Sequence, residues 1–130
     1  MRILKPCDIE NELRLALTGY FNVYCRPLPA SYSLPNVLIT ATGGTTGNTI
    51  DTFAVTIDVR SETDAEAFET MSNVLGVLEV QAQAQTGALR NIVINNLARW
   101  GNDPARPDLK LCTASILVTA HRESFEITES

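Results

Sequence analysis

The chain has 130 residues, with ten basic and fifteen acidic side chains, a net charge of −5 and a pI near 4.8. This length predicts a single domain spanning residues 1–130. The acidic balance argues against a dedicated nucleic-acid binder, whose affinity would come from Lys and Arg at phosphates. No apolar run reaches the ~20 residues of a membrane helix, and no signal peptide or membrane partner is expected.

The first part of the chain predicts one helix, two strands and an extended loop. Apolar residues at helical spacing indicate a helix between Asp8 and Gly19. The aromatic and β-branched run Tyr20–Cys25 predicts a strand. The prolines of Arg26–Pro35 predict an extended loop, because they disfavour both helix and central strand. A second strand is predicted over Val37–Thr42.

A glycine-rich stretch separates this strand from the third. Its composition predicts a long, flexible hairpin loop, formed by Gly43, Gly44, Thr45, Thr46, Gly47 and Asn48. The third strand, Asp51–Arg60, has the clearest pattern, because apolar residues alternate with polar or small ones. Period-two alternation places one face of this strand on a core and the other toward water or a partner.

A second helix follows, with Thr63 and Glu66 spaced as a capping box in which each side chain satisfies the other's free amide. The expected apolar stripe comprises Ala65, Phe68, Met71, Leu75 and Leu78, widened by Val74 and Val77. Gly76 lies inside this helix at a cost of ~1 kcal/mol relative to Ala, which packing must offset unless the helix bends.

The last part of the chain predicts two further strands. Asn91–Leu97 forms the fourth, Trp100–Pro107 a turn-rich connection, and Leu111–Ala120 the fifth. Residues 122–130 are predicted to be a loose tail.

This order of elements predicts an α+β fold, with a mostly antiparallel sheet of about five strands and two helices packed on one face. The other face would carry small, weakly charged residues that suit water or another subunit equally. Its expected members are Thr52, Ala54, Thr56, Thr113, Ser115 and Thr119.

The residues offer little chemistry. The one histidine, His121, has no partners at metal-ligand spacing, and the glycine-rich stretch lacks the Lys and the following helix of a phosphate loop. Cys7, Cys25 and Cys112 are expected to be reduced thiols in a reducing cytoplasm. The sequence leaves open whether Cys112 and His121 form a catalytic thiol–imidazole pair. No catalytic residue, metal or cofactor is predicted, and the acids opening the second helix fit the helix dipole.

Five segments in succession carry a resemblance to a known family. They are the proline-led run Leu34–Gly44, the alternating strand Asp51–Arg60, the helix start Thr63–Ala67, the segment Asp103–Asp108, and the strand Thr113–Thr119. Over about residues 8–122, this succession resembles the tail terminator (tail completion) proteins of long-tailed bacteriophages and related phage-derived particles. Arg106 departs from the pattern, because Pro107 follows it where an aromatic residue is expected.

The resemblance implies a structural virion protein with no enzymatic activity. Such proteins form a homo-oligomeric ring, typically of six subunits, that caps the head-proximal end of the tail tube and stops its polymerisation. The expected partners are the tail tube protein and a head-completion or stopper protein in the neck, with assembly in the host cytoplasm. DNA would only pass through the lumen, and six copies at −5 each would total −30 and repel phosphates.

The predicted interface residues are the glycine-rich stretch and three single residues. They are Gly43 to Asn48, Arg26 and Arg106, together with Trp100, which can be either a packing anchor or an interface hot spot. Two alternatives stay open. One is another neck or tail-tube ring protein of the same particle. The other is a small ligand-binding or hydrolase domain, which predicts a pocket around His121, Cys112 or the helix-two acids.

Overall fold

Two helices cover one face of a five-stranded sheet in the computed structural model, which describes residues 1–128 of the chain. A separate two-stranded ribbon joins the chain ends. The described elements are β1 (Arg2–Lys5), α1 (Ile9–Leu17), β2 (Asn22–Cys25), β3 (Asn36–Thr46), β4 (Ile50–Ser61), α2 (Asp64–Gln83), β5 (Leu89–Asn102), β6 (Lys110–His121) and β7 (Glu123–Glu126). The α+β class and the mostly antiparallel sheet predicted from the sequence are confirmed.

The centre of the sheet is the antiparallel pair β4–β6. Its twelve residue pairs run from Ile50–His121 to Ser61–Lys110 with no break in register. The strand order is β2-β3-β4-β6-β5. The chain neighbour of each central strand therefore pairs with it on the outside, β3 with β4 and β5 with β6, as two antiparallel hairpins. Both flanking pairs contain β-bulges, which bend the outer strands away from a flat sheet.

The core lies between the sheet and the helices. On β4, Val55, Ile57 and Val59 are buried, as the alternating pattern predicts. They pack with apolar residues of β6 and with α2, whose Met71 and Leu78 are fully buried. Each such side chain contributes roughly 1.5–3 kcal/mol to the free energy of unfolding relative to an exposed one.

Both helices begin at the predicted caps, but the second cap differs in detail. Asp8 accepts a hydrogen bond from the Asn11 amide, and Thr63 accepts one from the Glu66 amide. The Glu66 carboxylate bonds the Ser61 hydroxyl rather than completing a reciprocal box. The buried stripe of the helix also differs from the predicted one. Ala67 is buried, whereas Ala65, which the predicted stripe included, is exposed.

The pairing of β2 with β3 corrects one expectation. Strands joined by short loops were expected to be antiparallel, and Asn22–Cys25, which a ten-residue segment separates from the next strand, instead runs parallel to Asn36–Ile39. The reason is the segment 26–35, which is long enough to return the chain to the starting end of the sheet.

The chain ends correct a second expectation, because residues 123–126 are not loose. They form β7, which pairs antiparallel with β1, and Lys5 bridges to Glu123. The Ile127 amide also donates to the Met1 carbonyl. This pairing joins residues more than 115 positions apart, so no local pattern announces it. Glu129 and Ser130, part of the predicted tail, lie outside the described residues.

Parts of two segments that were predicted to be loops are strands in the structure. Residues 43–46 continue β3 after a bulge at Thr42, and only residues 47–49 form the turn to β4. Residues 100–102 likewise extend β5 along β6. In both cases the ladder of the neighbouring strand holds residues whose own composition favours a loop.

Gly76 and Gly44 differ in the space available for a β-carbon, so replacing each with alanine should have opposite effects on stability. A β-carbon at Gly76 would meet nothing within 4 Å, so Gly76→Ala is expected to raise the free energy of unfolding by about 1 kcal/mol. At Gly44, with φ of 153°, a β-carbon would overlap the Thr52 carbonyl oxygen, so Gly44→Ala should lower it by roughly 1–3 kcal/mol. Urea unfolding of both variants measures this, and a destabilised Gly76→Ala would contradict it.

Candidate assembly surfaces

The predicted interface residues are spread over the molecule. The sheet has a hairpin end, where the β3–β4 turn lies beside His121, and a loop end, where the β5–β6 connection 103–109 lies beside Arg60. Gly43 to Asn48 belong to the hairpin end, whereas Arg106 belongs to the loop end. Trp100 lies on β5, and Arg26 is exposed just after β2. The structure therefore divides these residues among several surfaces of one subunit.

The hairpin end is held by a buried carboxylate. Asp51 is 2% exposed, and it accepts hydrogen bonds from the Gly47 amide at 3.2 Å and from the Arg122 guanidinium at 3.1 Å. The turn is thus tied to the core from inside, which corrects the prediction of a long mobile loop. Asp51 is in phase with the buried apolar residues of β4, so the alternation itself could have revealed it as an inward-facing acid.

The loop end contains a second buried ion pair. Arg60 and Asp103 are joined at 2.7 Å, with 13% and 2% of their side chains exposed. Nearby, Arg106 donates to the Tyr32 hydroxyl at 3.1 Å and pairs with Asp108. Arg106 therefore links the β5–β6 connection to the proline-rich segment 26–35, and these two predicted segments do meet.

The face of the sheet without helices has small and neutral side chains. Thr52, Ala54 and Thr56 of β4 lie opposite Thr119, Leu117 and Ser115 of β6, and all six are half-buried. Between residues 52 and 60 of β4 and residues 111 and 119 of β6, the charged side chains on this face are Asp58 and Arg60. Asp58 accepts from the Thr113 hydroxyl, and Arg60 is taken up by Asp103. The β4–β6 part of this helix-free face therefore presents no free cation to a ligand.

The outer edge of the sheet is β5, a 14-residue strand with one unpaired side. Its stretch 91–98 has no charged residue, although edge strands normally carry charges or prolines that discourage pairing with other chains. Val93, Ile94, Leu97 and Trp100 on this strand are each more than a third exposed. An uncharged, partly apolar edge of this length is typical of a surface that contacts another chain.

A polar cavity of about 270 Å³ at the hairpin end is the place to test for catalysis. Its lining brings together Cys7, Glu12, Arg90, His121, Arg122 and Glu123. Burial, aided by Glu12 and Glu123, raises the pKa of Cys7 to about 11, so this thiol is protonated at neutral pH. The sequence did not indicate Cys7 as a catalytic candidate, because the cavity is formed by three segments that are distant in sequence, residues 7–12, 87–90 and 121–123.

The other catalytic candidates do not converge. Cys112 points into the core and is 1% exposed, and burial raises the pKa of its thiol. It lies nine residues before His121 on β6, which puts the two side chains on opposite faces and roughly 30 Å apart along the strand. Of the helix-two acids, Asp64 pairs with Arg99. No cluster of three metal-ligating side chains occurs in residues 1–128, and no described helix is long and apolar enough to cross a membrane.

Comparison with known proteins adds no assignment. The sequence matches no protein-family model and no curated protein. Any function must therefore be argued from the surfaces described above.

The two aspartates of the loop end should differ sharply in their importance for stability. Asp103→Ala leaves Arg60 buried without its carboxylate, and Nη1 of Arg60 already lacks a hydrogen-bond partner among the described residues. We expect a loss of about 3–5 kcal/mol in the free energy of unfolding, measured by urea titration. Asp108→Ala removes an exposed pair and serves as the control, with little expected change. Equal effects of the two substitutions would contradict this account.

The raised pKa of Cys7 predicts slow alkylation. Relative to the ordinary value of 9.0, a pKa of about 11 leaves about a hundred-fold less thiolate, so native Cys7 should react with iodoacetamide at pH 7.5 at least that much more slowly than in urea. Peptide mass spectrometry of the labelled chain measures the ratio. Rapid native labelling of Cys7 would instead indicate a reactive thiol beside His121 and favour the catalytic alternative.

Proposed function

We propose that this chain is a structural ring subunit of a phage or phage-derived tail, acting as the tail terminator at the head-proximal end of the tube. The observation that carries the proposal is the central, β4–β6 part of the helix-free sheet face, where most side chains are small and neutral and no free cation is presented. A surface that must let DNA slide past needs this composition, because each exposed Lys or Arg would hold a phosphate.

In this proposal the helix-free face lines the lumen and the helices point outward. Neutral hydroxyl side chains such as those of Thr56 and Ser115 allow the surface to be hydrated without adding positive charge. The one arginine on the face between residues 52 and 60 of β4, Arg60, is neutralised by Asp103. The net charge of −5 per subunit adds a repulsive field along the path of the DNA.

The two ends of the sheet then supply the rims. The hairpin end is rigid, because Asp51 fixes the turn, and it offers a defined shape for a neighbouring ring. The loop end carries the 103–109 segment, whose exposed Arg106 donates to the Tyr32 hydroxyl of the 26–35 segment. Recognition of the tube and of the head-completion protein is assigned to these rims, and no chemical step is required.

Another ring protein of the same particle is the second candidate. Tube proteins commonly carry a long β-hairpin that pairs between subunits, and the unpaired outer side of the 14-residue strand β5 is compatible with pairing of this kind. The two candidates differ in polymer growth, since a tube subunit adds rings without limit and a terminator stops after one.

The test is to add the purified chain to polymerising tail tubes of the particle to which it belongs, and to image them by electron microscopy. A terminator should appear as one extra ring at a single end of each tube, and tube growth from that end should cease. Tubes that grow unchanged would contradict the proposal, and long polymers of the chain alone would support the tube-protein alternative.

A further inference from the structure

A glycine in the middle of α2 has no explanation within the subunit. Gly76 lies twelve residues into a 20-residue helix, and its backbone is helical rather than of positive φ. A β-carbon there would meet open space, so no close approach inside the chain requires glycine. The helix gives up about 1 kcal/mol relative to alanine at this position. Bare backbone on an exposed helix is useful where another chain packs closely against it.

Gly76 lies in an apolar groove on the outer side of the helical layer. The groove has a volume of about 530 Å³, and Tyr20, which follows α1, forms one wall. Val77 and Val80 line the α2 side, and Tyr20 and Val80 are each about two-thirds exposed. The groove is large enough for an aromatic side chain, and the missing β-carbon of Gly76 makes room for it.

The side chain that suits this groove is Trp100. It is 60% exposed and stands at a bulge of the edge strand β5, between Arg99 and Gly101. Tryptophan is one of the residue types in which the hot spots of protein interfaces are enriched. Trp100 lies on the sheet edge and the groove lies in the helical layer, so the two are separate surfaces of the subunit.

The charges around the two surfaces are complementary. Glu69 lies on the same helical face as Asn73 and Gly76, and Glu79 lies one turn beyond Gly76. Neither glutamate forms an ion pair within residues 1–128. Near Trp100, Lys110 bonds only the neutral Asn102 amide among the described residues. An indole in the groove would therefore bring a free cation toward unpaired carboxylates.

We propose that Trp100 of one copy of this chain inserts into the Gly76 groove of a second copy. The contact joins two different surfaces of the subunit, so it can be made head-to-tail and repeat around a ring. In that respect it rests on the proposed function, although the contact itself can be tested with the chain alone. In this proposal Trp100 supplies the inserted side chain, and the absence of a side chain at Gly76 leaves room for it.

Trp100 is the sole tryptophan of the chain, so its fluorescence reports its own burial. As the concentration rises from about 1 μM to about 1 mM, the wild-type emission should shift to the blue while sedimentation shows assembly. Gly76→Leu fills the groove and should keep the emission of exposed indole throughout. Gly76→Leu and Trp100→Ala should each weaken self-association about thirty-fold or more. Gln83→Leu, at an exposed residue of α2 that does not line the groove, and Phe125→Ala, at an exposed aromatic residue of the β1–β7 ribbon, are the matched controls and should assemble as wild type.

Mixing the two variants gives the decisive result. Trp100→Ala keeps an open groove and Gly76→Leu keeps the tryptophan, so the mixture should form dimers and nothing larger, with the blue shift appearing only on mixing. A wild type that stays monomeric to about 1 mM, or that assembles with Trp100 still exposed, would overturn the proposal. A wild-type two-fold dimer lost in both variants would support the contact and count against the ring function.

Discussion

The unbroken register of β4 with β6 is the constraint on which the other features depend. Twelve consecutive pairs lock the faces of both strands, so one face is buried under α2 and the other carries mostly threonine, serine and alanine, together with Leu117 and the paired side chains of Asp58 and Arg60. A slip of one residue would exchange the two faces, exposing Val55 and Ile57 and burying polar side chains. The bulges are confined to the outer strands, where they shape the edge and the turn without disturbing the centre. The smooth helix-free face is thus a consequence of how the core is built.

Two buried aspartate–arginine pairs close the sheet at its ends. Asp51 with Arg122 fixes the hairpin turn, and Arg60 with Asp103 fixes the β5–β6 connection. Such pairs add little net stability over apolar residues, but a missing partner leaves a buried charge, so they strongly disfavour other loop conformations. The two ends of the subunit are therefore defined shapes, as recognition by fit requires. The same pairing removes Arg60 as a free cation from the proposed lumen.

The sequence predicted those parts of the fold that a local period encodes. The alternation along β4 and the stripe of α2 identify the core, because burial of one face is written into consecutive residues. The β1–β7 ribbon and the parallel pairing of β2 depend on contacts between distant segments, which no local pattern contains. Gly43 and Gly44 were assigned to a loop from composition, yet the β4 ladder holds them in a strand. Of the interface candidates, Trp100 gains a structural argument, whereas the groove around Gly76 could be seen only once Tyr20 was placed beside α2.

The account holds that this molecule works through contacts with copies of itself and with adjoining rings. A reconstruction of the head-proximal tail end in intact particles, at a resolution that traces strands, tests this most directly. The account predicts a single ring of this fold between tube and neck, with the helix-free sheet face turned toward the DNA path. Absence of the chain from the particle, or a ring whose helices line the lumen, would contradict it.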